Sequence, residues 1–147
     1  MYDIDVNFKK LNEFAKEPYR ASEDAAGYDL YAAIPSPVTI NPGEVAKITT
    51  GIAIALPSGV FGAIFARSGL ATKKGLALAN MVGICDSDYR GEYIVALRNY
   101  GNEPQIICTG DRIAQLVILP FISANFTEVN ELDNTARGDG GFGHSGT

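Results

Sequence analysis

The densest chemistry in the chain lies in Asn80-Met-Val-Gly-Ile-Cys-Asp-Ser-Asp-Tyr-Arg-Gly-Glu92. The pattern predicts a β-hairpin: an apolar run, a polar turn over Asp86–Gly91, then alternation from Glu92 to Asn99. Short polar side chains cap their own backbone and glycine relaxes φ, so Asp-Ser-Asp and Gly91 suit the turn. A turn does not need two carboxylates, a tyrosine and an arginine within positions 86–90. On these residues alone two readings stand: a solvated charged turn, or a site where a carboxylate does acid–base work.

Three other stretches carry comparable possibilities. Arg67 directly precedes Ser68-Gly-Leu-Ala-Thr-Lys-Lys-Gly75, which predicts a short helix with Ser68 as N-cap, two lysines in its last turn and Gly75 at C′. An arginine beside free helix N–H groups forms an anion site; a helix that is only well capped has the same residues. Gln115 stands inside Arg112-Ile-Ala-Gln-Leu-Val-Ile-Leu119 and is expected to be buried, so its amide needs partners, either in the core or in a polar pocket. The C-terminal run Arg137-Gly-Asp-Gly-Gly-Phe-Gly-His-Ser-Gly146 is too glycine-rich to form an element by itself. It is either a tail or a lid, in which Arg137, Phe142, His144 and Ser145 stack on a ring and donate to phosphates.

The elements that must position these groups are short. Strands are expected at Val6–Leu11, Val38–Ile40, Val45–Thr50, Ile52–Leu56, Val60–Ala66, Gln105–Cys108, Arg112–Leu119 and Phe121–Val129. Asn41-Pro-Gly43 and Pro57-Ser-Gly59 turn the chain between them. This spacing predicts an all-β sandwich or barrel with one short helix. At 147 residues the chain is one domain long, enough to bury roughly 68–70% of its unfolded surface. The absence of an apolar run near about 18 residues predicts no transmembrane helix, and the N-terminus lacks a secretory pattern, so an intracellular, cytoplasmic protein is expected. Cys85 and Cys108 both lie in apolar segments and are expected to be buried thiols. With them and a single histidine there is no zinc set. A net charge of −5 disfavours nucleic acid as a partner, while a small polyanion stays possible if the arginines converge.

Five segments taken together, Ala26-Gly-Tyr-Asp-Leu-Tyr31, Ala66-Arg-Ser-Gly-Leu70, the hairpin, Gly110-Asp-Arg-Ile-Ala-Gln-Leu116 and Arg137 to Gly146, resemble in order and spacing the five motifs of the homotrimeric deoxyuridine triphosphatases (dUTPases). The resemblance implies a jelly-roll-like β-barrel over residues 1–134 and a flexible Gly-rich arm, 135–147, that closes over a neighbouring subunit's active site. It implies Mg²⁺-dependent hydrolysis of dUTP to dUMP and pyrophosphate, which limits uracil in DNA and supplies dUMP for thymidylate synthesis. Three subunits would share each site.

Carried residue by residue, the resemblance assigns uracil to the hairpin main chain, Gly83, Ile84, Cys85, Asp86 and Ile94, with Asn80 assisting. Tyr89 matches the tyrosine that packs on deoxyribose and blocks a 2′-hydroxyl. Asp86 matches the general base that activates water at the α-phosphorus; a carboxylate is ionised at neutral pH and suits the task. Arg67, Ser68, Gly69 and Gln115 match phosphate ligands. Asp29 matches an acid that meets Mg²⁺ through water, the ion being held mainly by the triphosphate. Arg112 is expected to pair with a carboxylate. In the arm, Arg137 matches the γ-phosphate arginine and Phe142 the ring over uracil, with Gly143, His144 and Ser145 at the phosphates. The chain departs from the family pattern at Ala66, at Cys85, which adds sensitivity to oxidation, and at His144, which replaces a small hydroxyl residue. A dCTP deaminase shares the barrel but not the Asp-Ser-Asp-Tyr-Arg-Gly turn, and an additional protein-binding regulatory role is the other alternative.

Overall fold

Alternation along Glu92–Asn99 sends Tyr93, Val95, Leu97 and Asn99 into the core and leaves Ile94 and Arg98 outside. That two-residue period of a half-buried strand recurs through the chain. The computed structural model describes residues 3–141. In chain order its elements are β1 (Asn7–Lys10), β2 (Tyr19–Arg20), β3 (Tyr28–Tyr31), β4 (Val38–Ile40), β5 (Val45–Ala55), β6 (Val60–Phe65), α1 (Ser68–Lys74), β7 (Leu76–Leu78), β8 (Gly83–Cys85), β9 (Glu92–Asn99), β10 (Gln105–Ile107) and β11 (Arg112–Pro120). They form a four-stranded sheet ordered β1-β5-β9-β7, a five-stranded sheet ordered β2-β3-β11-β6-β8, and the pair β10-β4. All pairings are antiparallel. Leu30, Ile48, Ile52, Ile64, Leu97 and Ile113 are central to one contiguous core. This is the expected all-β, jelly-roll-like architecture with one short helix. No helix among the described residues is long and apolar enough to cross a membrane.

The expected strands at 45–50 and 52–56 are one strand, β5, bent at Gly51 (φ +66°). Its register with β9 slips between Thr49↔Ile94 and Ala53↔Glu92. The groups released by this bulge are caught at once. Gly51 N–H donates to Glu92 Oε1 (2.7 Å), Leu11 N–H donates to Gly51 O (2.7 Å), and the Thr50 hydroxyl donates to Tyr93 O. Only glycine suits the position, since a Cβ there would need positive φ and would lie 2.8 Å from the Asn12 side chain.

Four local expectations are corrected. The segment around 86–91 is not a hairpin turn: β8 pairs with β6, whereas β9 pairs with β5 and β7. The turn therefore carries the chain from one sheet to the other, because each flanking strand finds its partner elsewhere. Ser68 is not the N-cap; extended Arg67 (φ −85°, ψ 132°) holds that position with no side-chain cap bond, and Gly75 ends the helix in the left-handed region (φ 64°) as expected. Cys108 is exposed, one position past buried Ile107, where its N–H donates to Asp111 Oδ2 in a turn (2.8 Å). Residues 121–129 form no strand. The ladder ends at Pro120↔Val60, and the residues beyond meet no further sheet edge.

Asn99, fully buried at the end of β9, welds the loop that follows. Its Nδ2 donates to Ile40 O (2.9 Å) and Glu103 O (2.8 Å), and its Oδ1 accepts from Gly101 N–H (2.9 Å). Asn99→Ala leaves the buried Ile40 carbonyl unsatisfied and the half-buried loop without its ties, and chemical denaturation should read a loss of roughly 1–3 kcal/mol. A loss below about 0.5 kcal/mol would remove this weld from the fold.

Candidate active site

Register places the polar groups. Across the five-stranded sheet, Gln115 on β11 stands opposite Asp29 on β3 and opposite Phe65 on β6. Two residues past Phe65 the chain reaches Arg67, whose Nε donates to Asp29 Oδ1 (2.7 Å). On the other side Arg112 Nη1 donates to Asp29 Oδ2 (3.1 Å). Asp29 is 8% exposed, and each of its oxygens faces one guanidinium, which meets the need to pair a buried charge. The pairing expected for Arg112 is present. Gln115 is half-buried and not fully buried as expected, because its amide sits at the rim of a cavity: Nε2 donates to Ala66 O (2.9 Å), fixing the residue before Arg67, and the side chain lines that cavity. Gly27 lets the amide lie this close, since a Cβ there would be 2.6 Å from Gln115 Oε1.

The cavity measures about 870 Å³ and is lined by Gly27, Asp29, Arg67, Ser68, Gly69, Arg112 and Gln115 among others. Around the first turn of α1 the leading N–H groups lack intrahelical acceptors, and Ser68 and Gly69 line the cavity. The arrangement suits an anion with several oxygens. Sequence reasoning did not single out Asp111, Lys73 or Lys74, which also line the cavity. The helical spacing of Gly69 and Lys73 is the signal that would have found the first lysine.

The residues expected to hold a base and sugar lie apart from this cavity. Gly83, Ile84 and Cys85 form β8, an edge of its sheet that is paired only with β6 among the described residues. Asn80, Ile84, Asp86, Tyr89 and Ile94 are exposed. The crossover is held by its own bonds: Tyr89 N–H donates to Asp86 O (3.1 Å), and Arg90 Nη1 donates to Ser87 O (2.7 Å) and Tyr89 O (3.0 Å). The Tyr89 hydroxyl donates to Glu92 O (3.0 Å), folding the ring over Gly91, where a Cβ would lie 2.3 Å from the hydroxyl oxygen. Cys85 packs against the core, and burial pushes its thiol up, with the Asp86 charge adding to the effect; the thiol stays protonated, which lowers its reactivity. Burial likewise pushes the Tyr93 phenol up. Arg137 is exposed and its Nε donates to Gly140 O (2.8 Å) in a local turn. Phe142, Gly143, His144 and Ser145 lie outside the described residues.

No group of three or more His, Cys, Asp or Glu among the described residues forms a metal cage. Direct ligation by Asp29 does not fit, because both oxygens are taken by arginine. A carboxylate has about four lone-pair directions, so Asp29 retains acceptors for a metal-bound water.

The class this defines is an antiparallel jelly-roll-like β protein with an arginine-lined cavity suited to an anion and a separate exposed strand edge. The sequence pattern of the dUTPase family matches residues 14–146. The chain is 50% identical over 144 residues to the deoxyuridine 5'-triphosphate nucleotidohydrolase of Desulfitobacterium hafniense (strain DSM 10664 / DCB-2), covering 97% of this chain and 95% of that one. It is 48% identical over 139 residues to the enzyme of the same name from Coxiella burnetii (strain Dugway 5J108-111), covering 94% and 91%. Among solved structures, a mutant dUTPase of Staphylococcus bacteriophage 80alpha with dUpNHpp superposes with a TM-score of 0.87 at 29% identity, covering 97% of this chain and 99% of that chain. A mutant dUTPase from phage phi11 of S. aureus, described as coordinating a structural Mg(II) ion, gives 0.80 at 27% identity, covering 87% and 98%. The chain belongs to the dUTPase family.

The two arginine contacts to Asp29 are unequal in length and exposure, the side chains of Arg67 and Arg112 being 26% and 49% exposed. Asp29→Asn should cost about 1.5–3 kcal/mol in urea denaturation, the range for hydrogen bonds to charged groups. Arg112→Met should cost less than about 1 kcal/mol. The reverse order would mean that Arg112, not Asp29, anchors the cluster.

Proposed function

We propose that the chain hydrolyses dUTP to dUMP and pyrophosphate, with water attacking the α-phosphorus and Asp86 as general base. The observation that carries the reading is the Asp29-anchored pair of arginines at the cavity wall, in the fold of the dUTPase family. Arg67, Ser68, Gly69 and Gln115 grip phosphate oxygens there. The unpaired edge of β8 supplies backbone donors and acceptors to uracil, with Asn80 and Ile94 beside it. Cytosine would set an amine against a donor, and such mispairing discriminates strongly. Tyr89, its ring already oriented by Glu92 and Gly91, walls off a ribose 2′-hydroxyl.

Magnesium bound with the triphosphate would supply charge neutralisation and polarise its oxygens. Asp29 orients the two arginines, and its spare lone pairs would accept from the ion's hydration shell. Because the cavity and the β8 edge do not converge within one chain, a complete site draws on more than one copy. A homotrimer accounts for this, with the arm, residues 135–147, bringing Arg137, Phe142, Gly143, His144 and Ser145 over a neighbour's site and residues 1–134 forming the barrel.

Pyrophosphate release from dUTP, compared with dTTP, dCTP and UTP, tests the reaction. Asp86→Asn should lower kcat by about 10²–10⁴-fold, the usual contribution of a positioned base; undiminished turnover would remove Asp86 from the role. Ammonia from dCTP would point instead to a deaminase. Assembly has its own test. Ile122 and Phe126 are 94% and 97% exposed in the single chain, and Leu132 is similarly bare. Covering one such side chain contributes about 1.5–3 kcal/mol. The double variant Ile122→Asp, Phe126→Asp should therefore shift sedimentation from trimer toward monomer and abolish turnover. An unchanged trimer would show that this stretch does not hold the copies together.

A further inference from the structure

The face of α1 turned toward the cavity carries two cations to which none of the roles above gives work. Gly69, Leu70, Lys73 and Lys74 line the cavity, and at about 100° per residue these four share one side of the helix. Thr72 lies off that side and is occupied elsewhere, its hydroxyl donating to Ser68 O (2.8 Å). Helical side chains lean toward the N-terminus, which directs Lys73 back across Gly69. The space above Gly69 is open, since a Cβ at position 69 would meet nothing within 4 Å.

The charge balance isolates the same two groups. The cavity lining holds four cations, Arg67, Lys73, Lys74 and Arg112, against two carboxylates, Asp29 and Asp111, in a chain whose net charge is −5. Asp29 is consumed by the arginines, and Asp111 gives Oδ2 to Cys108 N–H (2.8 Å). Neither lysine forms an ion pair among the described residues. A local excess of positive charge on an anionic chain matches a ligand with more negative charge than the arginines neutralise.

We propose that Lys73 and Lys74 are specificity-determining residues of the phosphate site, holding the outer phosphates so that a triphosphate is preferred over shorter phosphate chains. The inference rests on the dUTP reading and deepens it. Both side chains are exposed, so their attraction is modest and screened by salt. Lysines in a last helical turn also favour the helix dipole, and the test separates that structural role from substrate recognition.

Steady-state dUTP hydrolysis and the inhibition constants of inorganic triphosphate and pyrophosphate are measured for the full chain and for the double variant Lys73→Met, Lys74→Met. In about 0.01 M salt, where screening is weak, KM for dUTP and the inorganic triphosphate constant should rise about 3–10-fold. The pyrophosphate constant should rise less, and kcat should hold within about twofold. In about 1 M salt the difference should shrink below about twofold. Lys73→Arg with Lys74→Arg should restore low-salt values, and Lys9→Met on β1 should change nothing. A KM unchanged at low salt, an equal effect on pyrophosphate and triphosphate, or a loss confined to kcat and tracking the melting temperature would overturn the proposal. Wild-type protein that fails to hydrolyse dUTP would sink the functional reading, while calorimetric dissociation constants of inorganic triphosphate and pyrophosphate, which need no turnover, would still judge the lysines.

Discussion

A carboxylate withdrawn from water is tolerable only where opposite charge meets it, and at Asp29 that requirement organises the site. Its two partners come from the chain leaving β6 and from the start of β11, strands distant from β3 in sequence that the sheet order places on one side of it. The same carboxylate therefore ties three strands at one end of the five-stranded sheet and holds two guanidinia at the wall of the cavity. Gln115 extends the arrangement by binding Ala66 O, so that the backbone entering Arg67 and the Arg67 side chain are fixed independently. A site built this way is ordered before any ligand arrives, which reduces the entropic cost of binding.

The four-stranded sheet is pinned by an irregularity. The bulge at Gly51 exposes backbone groups that Glu92 and Leu11 satisfy, and the Thr50 hydroxyl beside it donates to Tyr93 O. Glu92 is the residue at which the chain, having crossed from β8, enters β9. The crossover is thus anchored at one end by the bulge and at the other by the β8–β6 ladder. Between those anchors the turn binds itself through Asp86, Ser87, Tyr89 and Arg90. The proposed base and the proposed sugar wall consequently stand on a rigid span and not on a free loop, although both are exposed in the single chain.

That exposure has a counterpart in the cavity. The proposed phosphate ligands gather on the β3, β6 and β11 side, the proposed base-reading groups on the β8 edge, and the apolar stretch after Pro120 carries the exposed Ile122 and Phe126. Each of the three is incomplete for nucleotide chemistry by itself. The proposed shared site in a trimer would complete them and would also cover Ile122 and Phe126, which stand bare to water in the single chain.

By itself the sequence determined the inventory: short alternating strands, turns at Gly43 and Gly59, a helix stop at Gly75, and an arginine, serine and glutamine suited to phosphate. These are legible because side-chain period, positive φ and donor chemistry are local properties. Arg112 was legible in part, since its need for a carboxylate is chemical, though nothing local named Asp29. Only the tertiary structure decided who pairs with whom. The run from Asn80 to Asn99 has the same alternation whether its strands bond each other or diverge to separate sheets, and the structure sends them to β6 and β5. Residues 121–129 likewise have strand-like composition but no edge beside them, and Ser68 lost the capping role because the chain enters α1 through an extended Arg67. The physical reason is common to all three. Alternation says which face of a strand is apolar, but a strand's partner and a helix's exact start depend on backbone hydrogen bonds made by residues distant in the chain.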